Sequence, residues 1–460
     1  MLEWQSLALL EAAVEHLDGG FSDLPPFNGE QEADDIAAVL LEVAERMKDN
    51  YPYPHPLYAG QMLKPPHPVA RLAYTMALWM NPNNHALDGG RASSAMEKEA
   101  VAGLAGMFGW TTHLGHLCGG GTMANLEALW VAGQIHPGKK IVASQQAHYT
   151  HRRIADVLQL PFEAVACDRA ARMDPDQLEA LLKTGRVGTV IATMGATAVG
   201  SVDHLPVLLD LQQTYGFRLH ADAAYGGYFT LVDNLRAETH AAYAALSHVD
   251  SIAIDPHKHG LQPYGCGCIL FKDPRVGAFY EHESPYTYFS SSELHLGEIS
   301  LECSRAGASA VALWATQRLL PLVPGGAFAR RLAKSRDAAL RLAANIDSDE
   351  RWRLAFEPEL DIVIWGRRAA TASEMSQRSR EIFAAAARAD LHLAVATFPA
   401  ALLEEKWPDL VWDQDHVACL RSCLLKPEHL DWVDRIWEML NDIAEEVVAA
   451  GGAADVGRPA

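Results

Sequence analysis

Between about residues 115 and 275, short apolar or β-branched runs alternate with segments of helical periodicity. This alternation predicts a mostly parallel sheet with helices on both faces, because parallel strands need crossover connections that are usually helical. Ligands of such sheets bind beyond the carboxyl ends of the strands. The predicted strands are residues 140–143, 164–167, 187–193, 218–221, 251–254 and 268–271, and the predicted helices are 124–132, 175–183 and 204–215. Asp174 and Asp203 are expected to cap the last two helices.

The sequence before and after this alternating region predicts further structural parts. Helical periodicity at residues 35–48 is followed by proline clusters, which remove backbone donors and indicate an irregular segment. A long helix is predicted over residues 301–320, and prolines and glycines after it mark a boundary. The predicted parts are a helical and extended arm (1–85), a large domain (86–323), a small α+β domain (324–450) and a disordered tail (451–460).

The composition disfavours several classes of function. The 38 basic and 58 acidic residues leave a net charge of −20, which would repel nucleic acids and anionic membranes. No apolar run approaches the length of a membrane span, and the start lacks a basic leader, so no secretory signal is expected. The 7 cysteines include no Cys-x-x-Cys pair and are expected to be reduced thiols. We therefore expect a cytoplasmic protein.

Lys258 is the residue on which the functional prediction depends. It follows the predicted strand 251–254 in the sequence Asp-Pro-His-Lys, and Asp222 ends the strand before it. A lysine amine can condense with the aldehyde of pyridoxal phosphate (PLP), and an aspartate can hold a proton on the pyridine nitrogen, so that the ring accepts the electrons of a carbanion. Taken singly, Lys258 could be a surface residue and Asp222 a metal ligand or helix cap. Together they predict a PLP site.

Three other segments are compatible with such a cofactor. Glycines 119–121 precede Thr122 and a helical pattern, where free amides and a hydroxyl can bind a phosphate, although glycine-rich turns are common. His148 could stack on a planar cofactor or bind a substrate carboxylate, or could be an ordinary structural histidine. Residues 193–197 end another predicted strand and suit either a cofactor wall or a plain loop. Solvated or helix-capping roles are expected for His151, Arg152 and Arg153.

Zinc is the competing chemistry. His113, His116 and Cys118, or His257 with His259, could be zinc ligands. Pairs of this kind are expected by chance in a chain with 20 histidines, and no His-Glu-x-x-His pattern supplies a general base. No metal is therefore predicted, and a zinc hydrolase or a non-enzymatic binding protein remains an alternative.

The motifs together resemble those of fold-type I PLP enzymes and, among them, the group II amino-acid decarboxylases. Residues 255–258 resemble the family's Asn/Asp-Pro-His-Lys motif, and 219–227 resemble its Val-Asp-Ala-Ala-Tyr-Gly-Gly motif. Residues 120–122 match its phosphate turn, and 193–197 resemble its Thr-x-Gly-Thr-Thr segment. The resemblance extends from about residue 55 to 443. It implies an aspartate-aminotransferase-like α/β fold, with a mostly parallel seven-stranded sheet and a smaller α+β domain, in a homodimer with active sites at the subunit interface.

The resemblance also implies a role for each site residue. Lys258 would bind PLP covalently, Asp222 would pair with the pyridine nitrogen, and His148 would stack on the ring. A mobile loop would fall near residues 284–290, where Tyr286 is the candidate proton donor to Cα and Tyr288 the reserve, with aromatic packing as the alternative. The phosphate would be held by Gly121, Thr122 and His257, with Thr197 near the ring.

The implied activity is decarboxylation of an L-amino acid to an amine and carbon dioxide. After Lys258, however, the chain continues His-Gly-Leu, where animal-type members often carry tryptophan. This version is closer to archaeal tyrosine/aspartate decarboxylases and to sphingosine-phosphate lyases. A PLP-dependent C–C lyase of the latter type, or an aminotransferase on the same fold, is therefore the alternative, and the substrate side chain is not predicted.

Overall fold

The large domain is built on a sheet of seven strands. The computed structural model describes residues 5–25, 36–85, 87–281 and 296–455. The strands are β1 (Leu114–Cys118), β2 (Lys140–Ser144), β3 (Phe162–Val165), β4 (Val187–Thr193), β5 (Arg218–Asp222), β6 (Ser251–Ile254) and β7 (Gly267–Phe271). Their order is β1-β7-β6-β5-β4-β2-β3, and β7 runs antiparallel to both neighbours while the other pairs are parallel. The predicted mostly parallel seven-stranded sheet is confirmed.

Helices cover both faces of this sheet. Every residue of β4, β5, β6 and β7 is buried, and successive side chains of a strand point to opposite faces, so both faces must be covered. The helices of the arm are α1 (Gln5–Gly19), α2 (Ile36–Met47) and α3 (Pro68–Leu78). Those of the large domain are α4 (Arg91–Met107), α5 (Gly121–Ile135), α6 (Thr150–Val157), α7 (Pro175–Leu182), α8 (Leu205–Tyr215), α9 (Ala237–Ala244) and α10 (Gly307–Leu319).

The C-terminal region forms a smaller α+β unit with its own core. Its strands β8 (Trp352–Leu354), β9 (Ile362–Arg367), β10 (Ala394–Pro399) and β11 (His416–Cys423) pair antiparallel in the order β10-β11-β9-β8. Its helices are α11 (Ala327–Asp347), α12 (Ala372–Arg388) and α13 (His429–Asp455). The arm contacts this unit through its backbone. The Ala59 amide donates to the His392 carbonyl at 2.9 Å, and the Ala59 carbonyl accepts from the Cys423 amide at 2.7 Å. The domain boundaries proposed from the sequence remain predictions.

The helix predicted over residues 301–320 is shorter, because α10 begins only at Gly307. The preceding segment instead carries Arg305 into the interior, where its Nη1 donates to Glu97 Oε1 and to the Leu117 carbonyl, both at 2.6 Å. A buried guanidinium needs such partners, so the ion pair outweighs local helix propensity. The same segment brings Glu302 to the edge of the sheet, where Oε2 accepts from the Gly119 amide at 3.2 Å.

Of the two expected caps, only Asp174 is confirmed. Its Oδ1 accepts from the amides of Asp176 at 2.9 Å and Gln177 at 3.2 Å, at the start of α7. Asp203 does not cap α8; its carboxylate accepts from the amides of Met173 and Thr193, both at 2.7 Å, and so links the segment before α7 to the end of β4.

The C-terminal helix α13 continues to Asp455, five residues into the segment 451–460 for which disorder is predicted. In the described ranges, no helix has the length and apolar character needed to span a bilayer.

Candidate active site

A cavity of about 490 Å³ lies where several strands of the large sheet end. Thr193 is the last residue of β4, Asp222 the last of β5, and Asp255 follows β6 directly. Because parallel strands share one carboxyl edge, these residues meet although they are far apart in sequence. The predicted site residues that line this cavity are Gly121, Thr122, His148, Thr197, Asp222, His257 and Lys258. Tyr286 and Tyr288 lie outside the described residues.

Lys258 is held at the cavity by a buried carboxylate that the sequence analysis did not single out. Its Nζ lies 3.1 Å from Oδ2 of Asp255, and its amide donates to the Asp255 carbonyl at 2.9 Å. Asp255 is only 3% exposed, and its Oδ1 has no hydrogen-bond partner among the described residues. A buried carboxylate is costly without a positively charged neighbour, so the contact with Asp255 fixes where the amine of Lys258 points. The position of Asp255 directly after the buried strand β6 could have identified it as a site residue from the sequence.

Asp222 is kept ionised by a buried histidine. His151 Nε2 donates to Asp222 Oδ2 at 2.9 Å, and Oδ1 accepts from the Ala224 amide at 3.1 Å. Burial alone would raise the pKa of Asp222, but the hydrogen bond and charge of His151, with the charge of Lys258, lower it below its ordinary value. A carboxylate of this kind can hold a proton on a pyridine nitrogen.

The solvated or capping role expected for His151 is therefore wrong. His151 is fully buried, whereas Arg152 and Arg153 are exposed as expected. The three residues are consecutive in α6, so they point in different directions around the helix axis. Only the direction of α6 relative to β5 decides that His151 faces the carboxylate, and the sequence pattern did not contain that direction.

His148 borders the cavity just before α6 and hydrogen-bonds the hydroxyl of Thr150 through Nδ1. Burial, followed by the positive charges of Lys258 and His151, lowers the pKa of His148, although Asp222 opposes this effect. A neutral imidazole results, which suits stacking on a flat ring better than a hydrated cation would.

The turn before α5 provides a cradle that a side chain would fill. A Cβ on Gly121 would lie 2.8 Å from Asp255 Oδ2 and 3.2 Å from Ala224 Cβ, and one on Gly120 would lie 3.2 Å from His257 Cε1. Gly120 also has φ of 153°, which L-residues rarely adopt. The first amides of the 15-residue helix α5 and the hydroxyl of Thr122 lie at this edge of the cavity. Such a helix start suits a phosphate, so the residues present fit PLP.

A buried chain of hydrogen bonds connects this turn to β5, which ends at Asp222, and to β6, which precedes Lys258. Asn125 Nδ2 donates to the Gly121 carbonyl at 2.8 Å, and Asn125 Oδ1 accepts from His220 Nε2 at 2.8 Å. His220 Nδ1 in turn meets Ser251 Oγ at 2.9 Å, and burial lowers the pKa of His220 to about 3. The neutral His220 therefore connects α5, β5 and β6 without adding charge beside Asp222.

Substituting Gly121 tests the cradle. We expect Gly121→Ala to raise the dissociation constant for PLP about tenfold or more, because the buried Asp255 cannot move aside for the new methyl group. Absorbance titration of the cofactor-free protein with PLP measures this constant. The control is Gly106→Ala in α4, where a Cβ would meet nothing within 4 Å. Equal affinities in the two variants would show that the turn does not bind the phosphate.

Two of the histidines considered as zinc ligands contact buried carboxylates instead. His116 Nε2 donates to Glu127 Oε2 at 2.9 Å, and the fully buried His259 has Nε2 3.3 Å from Asp361 Oδ2. Within the described residues, no group of three or more His, Cys, Asp or Glu side chains could hold a metal ion.

An amine-bearing lysine, an ionised aspartate and a phosphate cradle in one cavity at the edge of this sheet define a fold-type I PLP-dependent enzyme. Residues 123–367, more than half of the chain, match the family model for the pyridoxal-dependent decarboxylase conserved domain. The chain therefore belongs to the pyridoxal-dependent decarboxylases, which are carboxy-lyases.

Curated relatives agree with this family. The chain is 30% identical over 328 residues to a probable L-tyrosine/L-aspartate decarboxylase of Methanothermobacter thermautotrophicus, covering 70% of this chain and 86% of that protein. It is 28% identical over 410 residues to an L-tyrosine decarboxylase of Enterococcus faecium, covering 67% of each chain. An L-aspartate decarboxylase of Thermococcus kodakarensis is 29% identical over 280 residues, covering 60% of this chain and 71% of that protein.

Solved structures show the same fold. Oryza sativa TDC with PLP and tryptamine matches with a TM-score of 0.77 at 17% identity, covering 97% of this chain and 99% of that chain. Mouse CSAD matches with a TM-score of 0.76 at 20% identity, covering 94% and 92%. The predicted family, fold class and cofactor are thus confirmed.

Proposed function

We propose that the protein decarboxylates an L-amino acid to the corresponding amine and carbon dioxide. The observation that carries this proposal is the convergence of Lys258 and the His151–Asp222 pair on one cavity, in a chain that belongs to the decarboxylase family. When bound, PLP supplies an electron-accepting ring that stabilises the carbanion left at Cα.

Each side chain of the cavity has a proposed task. Lys258 would hold the cofactor through its aldehyde, and Asp255 would keep the lysine amine oriented. Asp222, ionised beside His151, holds the proton on the pyridine nitrogen. Gly121, Thr122 and His257, which line the same cavity, would hold the phosphate, His148 would stack on the ring, and Thr197 would lie beside it. For the final protonation of Cα we propose Tyr286, on the resemblance alone.

The direct test is a screen of the twenty amino acids for carbon dioxide release by the PLP-loaded protein. Tyrosine and aspartate come first, because the relatives are named for these substrates. Carbon dioxide and an amine in equal amounts are expected for at least one amino acid. An aldehyde product would instead indicate a C–C lyase, a keto acid would indicate an aminotransferase, and absence of carbon dioxide from every amino acid would reject the proposal.

We also propose that the protein acts as a homodimer. The support is α2, in which no residue is buried against the rest of the described chain. Its apolar residues Val39, Leu40, Leu41 and Val43 are all exposed, Leu41 to 72%. A helix of 12 residues is marginal alone in water, so its apolar face needs a covering surface. The second copy is the proposed cover. A cytoplasmic location is proposed as well, supported by the free cysteines.

Charges on α2 test the dimer. The double substitution Leu40→Glu and Val43→Glu should weaken the dimer about 10²-fold or more, because two apolar side chains would lose their burial. Light scattering should then report half the wild-type mass at micromolar concentration. The control is Val207→Glu, at an exposed apolar position on α8. A double variant with unchanged mass would mean that α2 does not form the interface.

A further inference from the structure

A second cavity, of about 280 Å³, concentrates positive charge in a chain whose net charge is −20. Its lining includes four cationic side chains and one carboxylate, Glu428. We call it the basic cavity; its cations are Lys64, Arg71, Arg331 and Lys426. It shares no lining residue with the PLP cavity. Cations gathered around a small concave space repel one another, and a bound anion would reduce that repulsion.

The hydrogen bonds of the two lysines go to backbone carbonyl groups. Lys64 Nζ donates to the Leu425 carbonyl at 3.2 Å, and Lys426 Nζ donates to the Tyr58 carbonyl at 2.6 Å. An ammonium has three donors, and a carbonyl carries no formal charge, so each lysine retains the capacity to bind an anion.

Burial and neighbouring positive charges lower the pKa of both lysine amines. Burial, followed by the charge of Lys64, lowers the pKa of Lys426 to about 7, with Glu428 and Cys423 opposing it. Burial, together with the charge of Arg331, lowers the pKa of Lys64 to about 8, against the opposing effects of Asp361 and Glu428. A bound anion would relieve this cost.

We infer that the basic cavity binds a small divalent oxyanion, of the phosphate or dicarboxylate class. Arginine contributes a planar fork that matches oxyanions, and lysine contributes compact point charges. The volume of about 280 Å³ is small for a ligand pocket and limits the occupant to a small molecule or ion.

The basic cavity lies where four parts of the chain meet. Lys64 and Arg71 come from the arm, Arg331 from α11, and Lys426 from the segment after β11. Leu261, three residues after Lys258, completes the lining, and its carbonyl accepts from the His67 amide at 2.9 Å. An anion held there would bind the arm to the C-terminal unit, next to the loop that follows the cofactor lysine.

Calorimetric titration of the PLP-loaded protein tests the inference, since bound PLP already fills the phosphate cradle of the active site. Inorganic phosphate and succinate are the two probes, each in a buffer free of other multivalent anions. At least one is expected to bind saturably. Arg331→Gln should raise its dissociation constant about tenfold or more, because a charged hydrogen-bonding group is lost. Arg331 is exposed, so its replacement should leave the fold intact.

The matched control is Arg341→Gln, which removes the same charge from the same helix at an exposed position paired with Asp434. It should change the dissociation constant less than twofold. Lys426→Gln should weaken anion binding about as much as Arg331→Gln does. Its thermal midpoint is compared with that of the wild type to check that the variant folds. The inference fails if neither anion binds saturably, or if Arg331→Gln and Arg341→Gln behave alike.

Discussion

Lys258→Ala is expected to abolish the covalent attachment of PLP and to lower the rate of carbon dioxide release about 10³-fold or more. The amine of Lys258 is held 3.1 Å from Asp255 Oδ2, at the edge of the cavity that contains the phosphate cradle. Alanine removes this amine, and no other lysine lines that cavity within the described residues. The visible absorbance of the lysine–PLP imine should disappear, and borohydride should no longer fix cofactor to the protein.

Lys183→Ala provides the control for this substitution. Lys183 is an exposed lysine at the C-terminal cap of α7, and it pairs with Glu179 at 2.9 Å. An exposed pair of this kind contributes little to stability, so the control should keep wild-type absorbance and rate. If Lys258→Ala retained a borohydride-stable adduct at one site with normal carbon dioxide release, Lys258 would not be the cofactor lysine.

The second large effect is expected from Asp222→Asn, which should lower the rate of carbon dioxide release about 10²- to 10³-fold while PLP stays attached to Lys258. Asparagine keeps the shape of the side chain but carries no charge to hold a proton on the pyridine nitrogen. His151 would then donate to an amide oxygen instead of a carboxylate. The measurement combines absorbance, which reports retained cofactor, with the turnover number at saturating substrate.

The control for charge removal is Asp210→Asn, on the exposed side of α8. It changes the net charge by the same amount and should leave turnover unaffected. A normal turnover number for Asp222→Asn with full cofactor content would contradict the role proposed for Asp222.

The bounds of the central strands could be predicted because the apolar sequence pattern agrees with the burial of those strands in the structure. The boundaries of β4 (Val187–Thr193) and β6 (Ser251–Ile254) match the prediction, since a strand buried on both faces is apolar at nearly every residue. The position of Lys258 and Asp222 at the cavity could be predicted for a related reason. Both are charged residues next to buried strands, where burial is costly without a functional partner.

Residues whose role depends on a contact with a distant part of the chain could not be predicted. The start of α10 at Gly307 depends on a buried ion pair between Arg305 and Glu97, which are far apart in the sequence. Asp203 has the sequence position of a helix cap, but the nearby amides of Met173 and Thr193 bind its carboxylate instead. In both cases a long-range contact outweighed a local preference.

From the sequence alone, the alternation of short apolar runs with helical segments predicted a mostly parallel sheet, because periodicity is a local property of the chain. The motifs around Lys258 and Asp222 placed both residues at the carboxyl edge of that sheet, where they line the cavity. Only the tertiary structure decided that His151 and Asp255 accompany them and that four cations meet in a second cavity. Those arrangements depend on the relative orientation of separate elements, which the packing of the whole core sets.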